Sequence, residues 1–319
     1  MSDFKKFSVV IPVYNEEDCL DTLFTRLTKV MDTLAEPYEI ILINDGSRDK
    51  SSEILHRLYQ ERPDHLVVLE FNRNYGQHMA IMAGFEHARG EIVITMDADL
   101  QNLPEDIPLL IQKINEGHDV VGGIRTHRQD KLWRITVSKL HNWLREKLTK
   151  IHMVDEGCML RAYKRNIVKS MVQSGERSTF IPALAVTYAS NPTDIPVRHA
   201  ERLAGETGYN LYKLIRYNFD FFANFSRAPL EAFTFIGFTV SLASVLLFVY
   251  LMVRRMIHGP DAEGMFTLFA IQFFLTGILL MGLGIVGEYV GRIYEEVRQR
   301  PRYLIKTHLT STPNTEELK

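Results

Sequence analysis

The first hundred residues alternate between short apolar runs and longer stretches in which apolar positions recur at helical spacing. Residues 7–13 read FSVVIPV, and residues 38–43, 66–71 and 91–96 repeat the pattern. Runs this short, rich in Val and Ile and nearly free of charge, predict buried strands. Between them, residues 16–34, 48–62 and 77–88 place apolar side chains every three or four positions, which predicts helices. Strands and helices alternating in this way predict an α/β domain whose mostly parallel sheet carries helices on both faces. In such sheets ligands bind beyond the carboxyl ends of the strands. Those ends are polar here: Tyr14-Asn15-Glu16, Asn44-Asp45, Asn72 to Tyr75 and Asp97 to Gln101.

The pattern changes after residue 200. Residues 233–253 form an uncharged stretch of about 21 residues and residues 265–287 another of about 23, each long enough to cross roughly 30 Å of hydrocarbon. The turn-like His258-Gly259-Pro260-Asp261 separates them, so two transmembrane helices are expected. Basic residues precede the first span (Lys213, Arg216, Arg227) and crowd behind the second (Arg292, Arg298, Arg300, Arg302, Lys306), which predicts cytoplasmic termini. Arg254 and Arg255 weigh the other way, unless they snorkel at the interface. Residues 132–151, a basic amphipathic pattern with Trp133 and Trp143, and the aromatic-rich residues 207–226 are expected to lie on the membrane surface. Gly287 and Gly291 form a G-x-x-x-G that permits close helix approach, within the chain or between copies in a homo-oligomer. From residue 308 the tail is polar and expected to be disordered. The domain reading is therefore 1–206 the α/β domain, 207–230 interfacial, 231–291 transmembrane and 292–319 a cytoplasmic tail.

Composition narrows the function. At 319 residues there is room for one large domain and an appendage. A formal net charge of -2 gives no concentrated basic surface for nucleic acid. Cys19 and Cys158 are the only cysteines, without C-x-x-C spacing, which points to a reducing compartment and away from zinc. The N-terminus lacks the apolar core of a signal peptide. No G-x-G-x-x-G follows the first strand and no Walker motif occurs, which disfavours dinucleotide oxidoreductases and P-loop ATPases.

Asp97-Ala98-Asp99 carries the candidate chemistry. In a strand, positions i and i+2 share a face, so the two carboxylates are expected to converge on one hard cation, which in turn holds a diphosphate. A bare D-x-D is also compatible with an ordinary solvated turn.

Four segments together resemble the family 2, GT-A-type glycosyltransferases of the polyisoprenyl-phosphate branch. They are Val10 to Glu16 (VIPVYNE), Asn44-Asp45-Gly46-Ser47, Asn72 to His78 (NRNYGQH) and Asp97-Ala98-Asp99-Leu100-Gln101. Gly157 to Tyr163, Glu176 to Pro182 and the stretch from Gly287-Glu288-Tyr289 to Arg302-Tyr303 look most like the members of that branch that transfer 4-deoxy-4-formamido-L-arabinose. The resemblance implies a UDP-sugar donor, Mg²⁺ or Mn²⁺, undecaprenyl phosphate as acceptor and a multi-pass inner-membrane enzyme with a cytoplasmic catalytic domain, serving lipid A or another cell-envelope glycan. It implies that Pro12, Tyr14, Glu16, Asp45 and Asp97 border the nucleotide and that Asp99, with Asp97 beside it, binds the metal. UDP-glucose, UDP-N-acetylhexosamine and GDP-mannose stay open as donors, and a non-catalytic membrane assembly subunit is the alternative of another class.

A lipid phosphate is already largely anionic at neutral pH and hardly needs a general base. Cys158 lies where many relatives with sugar acceptors carry a catalytic aspartate; Asp155 and Glu156 are the neighbouring candidate bases. The acceptor needs cations, since an arginine fork matches phosphate oxygens. Arg125, Arg128, Arg161 and Arg202 are the candidates. Relatives often carry Ser-Lys-Tyr after Arg-x-x-Gly-Glu; this chain has Thr207-Gly208-Tyr209, and Lys213 is the substitute cation.

Overall fold

The structure is a computed structural model that describes residues 5–125, 155, 157–176, 180–200, 228–258, 265–298 and 300–311. The chain forms two units, a sheet-bearing unit that includes residues from 300 onward and a helical unit that includes residues 209–299. The sheet-bearing unit opens as expected, with β1 (Lys5–Val13), α1 (Leu20–Thr33), β2 (Tyr38–Asn44), α2 (Ser51–Glu61), β3 (Leu66–Phe71), α3 (Gln77–His87) and β4 (Gly90–Thr95). After a single 3₁₀ turn (Pro104–Asp106) come α4 (Ile107–Asn115), β5 (Val120–Arg125), β6 (Arg161–Lys164), α5 (Arg165–Gln173), α6 (Ile181–Tyr188) and β7 (Pro192–Val197).

Eight strands form one sheet in the order β7-β5-β6-β4-β1-β2-β3-β8, where β8 is Ile305–Leu309. The β4-β1-β2-β3 block is parallel, and β6 and β8 run antiparallel against its two flanks. Period-two alternation divides β1 between two cores. Phe7, Val9, Ile11 and Val13 pack with Leu20, Leu23, Leu27 and Leu110 on one face, while Val10 packs with Ile43, Ala83, Phe85 and Ile167 on the other. A sheet buried on both faces explains why its strands read as nearly unbroken apolar runs.

The C-terminal reading needs correction. Residues 308 and 309 are not disordered tail: they complete β8, which pairs with β3 in antiparallel register, Leu309 opposite Val68 and His308 opposite Leu69. The polar sequence Ile305-Lys306-Thr307-His308-Leu309 suits an edge strand half exposed to water, so its hydrophobicity was too low to mark it.

In the helical unit, α7 (Ala228–His258) and α8 (Met265–Val297) extend beyond the predicted spans, and each contains a segment long and apolar enough to cross a membrane. The glycine that permits their close approach is not the one the motif suggested. A Cβ at Gly282 would overlap the Phe233 ring, whereas a Cβ at Gly287 or Gly291 meets no described atom within 4 Å. Gly282 is the notch that receives α7. The predicted interfacial segments, 132–151 and 207–226, lie outside the described residues.

Helix α3 seats on the sheet through Gly84, where an added Cβ would stand 2.2 Å from Val10 Cγ1 and 3.0 Å from Ile43 Cδ1. Ala is normally preferred to Gly inside a helix by about 0.5–1 kcal/mol. Gly84→Ala should invert that sign and destabilise by about 1–3 kcal/mol through overpacking. Thermal unfolding of the purified variant checks it, and Val10→Ala in the same chain should recover most of the loss.

Candidate active site

Polar groups gather at the carboxyl ends of β1, β2, β3 and β4. The β1-α1 and β2-α2 loops are sewn together by reciprocal bonds. Asn15, in the left-handed region at φ 55°, accepts from the Arg48 N–H at 2.8 Å and donates its own N–H to Ser47 Oγ at 3.1 Å. The Glu17 N–H donates to Asp49 at 3.1 Å while Glu17 accepts from the Lys50 N–H at 2.9 Å. Tyr14 is 42% exposed at the end of β1, Pro12 is half-buried, and the Glu16 N–H is bonded to Ser51 Oγ at 3.1 Å.

Asp45, expected to border the nucleotide, is engaged with the backbone of the third loop. Its two carboxylate oxygens accept the backbone N–H groups of Tyr75 and Gly76, at 2.6 and 2.8 Å. Burial pushes its carboxyl above the usual range and those two donors pull it partly back. Beside it, Gly46 adopts φ 69° and lies so close to the third loop that a Cβ would stand 2.5 Å from the Arg73 carbonyl carbon. Asp45 thus fastens the β3-α3 loop to β2.

The D-x-D carboxylates do come together, although not by strand alternation. β4 ends at Thr95, whose hydroxyl donates to the Met159 carbonyl at 2.7 Å, so Asp97 and Asp99 sit in the loop beyond it. Leu100 takes φ 60°, which lets its side chain enter the core while Asp99 stays outside and accepts the Gln101 N–H at 3.1 Å. Gln77, the first residue of α3, donates to Asp97 at 2.5 Å, and Asn102 donates to its other oxygen at 3.3 Å. Burial raises the Asp97 carboxyl to about 7, with Asp99 and, at longer range, Glu16 adding to the push and Arg125 opposing it. Gln77 and Asn102 were missed by sequence reasoning, because an amide has no charge or motif to mark it until its partner is known.

Arg125 is held by Asp155. The guanidinium Nε and Nη2 reach the two carboxylate oxygens at 2.7 Å each, and the N–H groups of Arg125 and Gly157 donate to the same carboxylate at 3.2 and 3.1 Å. Asp155 is buried and engaged on both oxygens, which does not suit a general base: its observed work is to aim Arg125. Arg161 is a clearer correction. It is 1% exposed and donates to the Cys158 and Asp155 carbonyls at 2.9 and 2.6 Å, so it braces the turn before β6 and cannot meet an acceptor phosphate. Cys158 is buried, its thiol pushed up to about 11 by desolvation, and it donates weakly to Asn102 at 3.6 Å. Glu156, Arg128, Arg202 and Lys213 lie outside the described residues. The Ala200 N–H donates to the Gln101 carbonyl at 3.0 Å, and His199 bridges to Asn102.

The donor set suits a small hard cation. Half-buried, mutually repelling carboxylates create a negative potential that a divalent ion relieves, and two protein carboxylates are what Mg²⁺ or Mn²⁺ uses when phosphate oxygens and waters complete its shell. Among the described residues no group of three acids, histidines or cysteines forms a closed cage.

The family model "Glycosyl transferase family 2" matches residues 8–172. The chain belongs to that family. Curated relatives named undecaprenyl-phosphate 4-deoxy-4-formamido-L-arabinose transferase include one from Yersinia enterocolitica, 47% identical over 98% of this chain and 97% of the relative. Another, from Edwardsiella ictaluri, is 48% identical over 99% of each. Among solved structures, glucosyl-3-phosphoglycerate synthase from Mycobacterium tuberculosis, crystallised with Mn²⁺, UDP and phosphoglyceric acid, superposes with a TM-score of 0.50 at 19% identity over 69% of this chain and 76% of its own. Mannosyl-3-phosphoglycerate synthase from Rubrobacter xylanophilus gives 0.50 at 15% identity over 73% and 75%. These neighbours establish the expected GT-A-type fold, and the family makes the protein a glycosyltransferase.

Asp155→Asn separates aiming from proton transfer. Replacing one carboxylate oxygen by an amide turns an acceptor of the Arg125 fork into a donor, which should cost about 2–3 kcal/mol of stability. Residual turnover should keep the wild-type pH profile. A variant with normal thermal stability and an altered pH-rate profile would restore the base.

Proposed function

We propose that this glycosyltransferase moves 4-deoxy-4-formamido-L-arabinose from a UDP donor to undecaprenyl phosphate with inversion at the anomeric carbon, at the cytoplasmic face of the inner membrane. The observation that carries the reading is the paired Asp97 and Asp99 at the carboxyl edge of the parallel strands, with Asp97 raised to about 7 by burial and by its neighbour. Relatives at 47–48% identity over nearly the whole chain, named for that sugar and that lipid, support the choice of substrates.

In this reading Tyr14 and Pro12 border the base, and Glu16 faces the ribose side. Asp45 acts on the nucleotide indirectly, through the loop it fastens. Asp99 and Asp97 would hold Mg²⁺ or Mn²⁺, which when bound would supply Lewis-acid neutralisation of the departing diphosphate. Gln77 and Asn102 keep the Asp97 carboxylate oriented for that ligation. Arg125, aimed by Asp155 and near enough to stabilise the Asp97 carboxylate, supplies positive charge on the acceptor side. Arg202, Arg128 and Lys213 complete the acceptor phosphate's surroundings, since moving an anion toward a diphosphate calls for cations more than for a base. The lipid tail lies along the membrane that α7 and α8 are long enough to span.

The deciding experiment offers purified protein a panel of UDP-sugars with undecaprenyl phosphate and Mn²⁺ and identifies products by mass spectrometry. The formamido-arabinosyl lipid is expected from the matching donor alone. Asp99→Asn should reduce turnover by at least about 10²-fold, the scale of losing a main electrostatic stabiliser, and weaken UDP binding in Mn²⁺. A product from UDP-glucose instead would replace the donor, and no product with any donor would favour the assembly-subunit alternative. For topology, reporters fused to either end should be active in the cytoplasm; a C-terminal fusion active only in the periplasm would overturn that arrangement.

A further inference from the structure

The chain that follows α8 returns to the sheet at a specific place. The Asn72 N–H donates to the Leu304 carbonyl at 3.2 Å, extending the β3-β8 ladder into the start of the β3-α3 loop. One residue earlier the Tyr303 ring lies nearly flat on Phe71, with centroids 4.8 Å apart and planes 16° from parallel. Phe71 meets the Tyr75 ring edge-on at 5.6 Å. The Tyr303 hydroxyl donates to the Glu86 carboxylate near the end of α3, and the Arg302 guanidinium approaches the same carboxylate at 3.8 Å.

The β3-α3 loop is thereby held from two sides. Asp45 grips the Tyr75 and Gly76 N–H groups from within the sheet, and Tyr303 presses from the edge on Phe71, whose ring in turn meets Tyr75. Between these two holds Asn72, Arg73 and Asn74 are exposed. Tyr75 and Gly76 then lead directly into Gln77, whose amide bonds Asp97. A shift of this loop therefore moves a side chain that orients the D-x-D pair. Covering the edge of β3 would explain β8, but a strand suffices for that. It does not explain why the residue just outside the strand reaches both to the last turns of α3 and to the aromatic pair at the loop.

We propose that Tyr303 is a positioning residue for the donor nucleotide: through Phe71, which Tyr75 meets, and through Glu86 it holds the loop and the helix α3 that set Gln77 against Asp97. The inference rests on the glycosyltransferase reading of the D-x-D site and concerns a residue far from it in sequence. Tyr303 touches no reacting group. Its effect should fall on donor binding, which depends on a preorganised loop, and leave acceptor use and the chemical step nearly unchanged.

Full-length Tyr303→Leu, Tyr303→Phe and Lys306→Ala, purified alongside the wild type, test this by calorimetric binding of UDP in Mn²⁺ and by steady-state kinetics. Tyr303→Leu keeps apolar bulk but loses the ring stack and the hydroxyl; it should weaken UDP binding and raise the donor KM about tenfold, with kcat and acceptor KM within about twofold. Tyr303→Phe retains the stack and should show a smaller rise, about threefold. Lys306→Ala, an exposed change on the same strand, should match the wild type. A Tyr303→Leu protein with lower thermal stability but wild-type UDP affinity and donor KM would reduce Tyr303 to an edge cover and overturn the proposal. Should Tyr303→Leu fail to fold, Tyr303→Phe decides, and a donor KM equal to wild type refutes the hydroxyl link. Failure of the wild type itself to bind UDP would instead defeat the transferase reading, and the nucleotide role of Tyr303 with it.

Discussion

Asp97 and Asp99 repel each other in a place where the sheet excludes much of the water, and most of the surrounding architecture answers that cost. A carboxylate that loses hydration and faces a second negative group is driven toward its neutral form, as the rise of Asp97 to about 7 expresses. Each neighbouring device opposes this. Gln77 and Asn102 donate to the two oxygens of Asp97, and Arg125 contributes positive charge. Arg125 is itself held by the buried Asp155, whose backbone carbonyl is held in turn by the buried Arg161. The arginine that looks like a phosphate ligand in the sequence thus belongs to the third layer of support. Residual negative potential at the pair is what makes the place receptive to a cation and, with it, to a diphosphate.

The loops carrying these groups are fastened to one another more than to the core. Asn15 with Ser47 and Arg48, and Glu17 with Asp49 and Lys50, exchange bonds across the first two loops. Asp45 and Gly46 bring the third against the second. Met159 accepts from Thr95 below the fourth. A site built this way separates two demands. The strands beneath supply rigidity through apolar burial on both faces, and the polar network above fixes orientation without intruding on the core.

The helical unit follows a different solvent logic. Its large side chains, Phe235, Phe238, Leu246, Phe248, Phe273 and Leu283 among them, are exposed, as hydrocarbon rather than protein would accept them. Where α7 and α8 meet, the lack of a side chain at Gly282 makes room for Phe233. Close approach at a small residue is the usual basis of helix contact in lipid, where burial of apolar surface provides little drive.

How much of this was legible in advance depended on whether the controlling physics was local. Strands β1 to β4 and helices α1 to α3 could be read directly, since burial on both faces writes apolar runs and amphipathic helices write a 3.6-residue period. The two membrane-length helices were legible for a similar reason: the thickness of hydrocarbon imposes a length on the apolar run itself. The D-x-D pair was legible as chemistry, yet its convergence came from a loop with Leu100 in the left-handed region, not from strand alternation. Tertiary structure alone decided the parts that depend on a distant partner. Arg161 looks like a phosphate-ligand candidate in the sequence because nothing in its neighbours reveals that its guanidinium is buried and bonded to two carbonyls. Asp155 could not be told from a base until Arg125 was seen across its carboxylate. Gln77 and Asn102 had no mark at all, β8 was too polar to stand out, and Gly282 mattered only once Phe233 lay over it. A side chain's period and polarity belong to the chain, whereas its hydrogen-bond partner and its water exposure are set by whatever the fold brings across the gap.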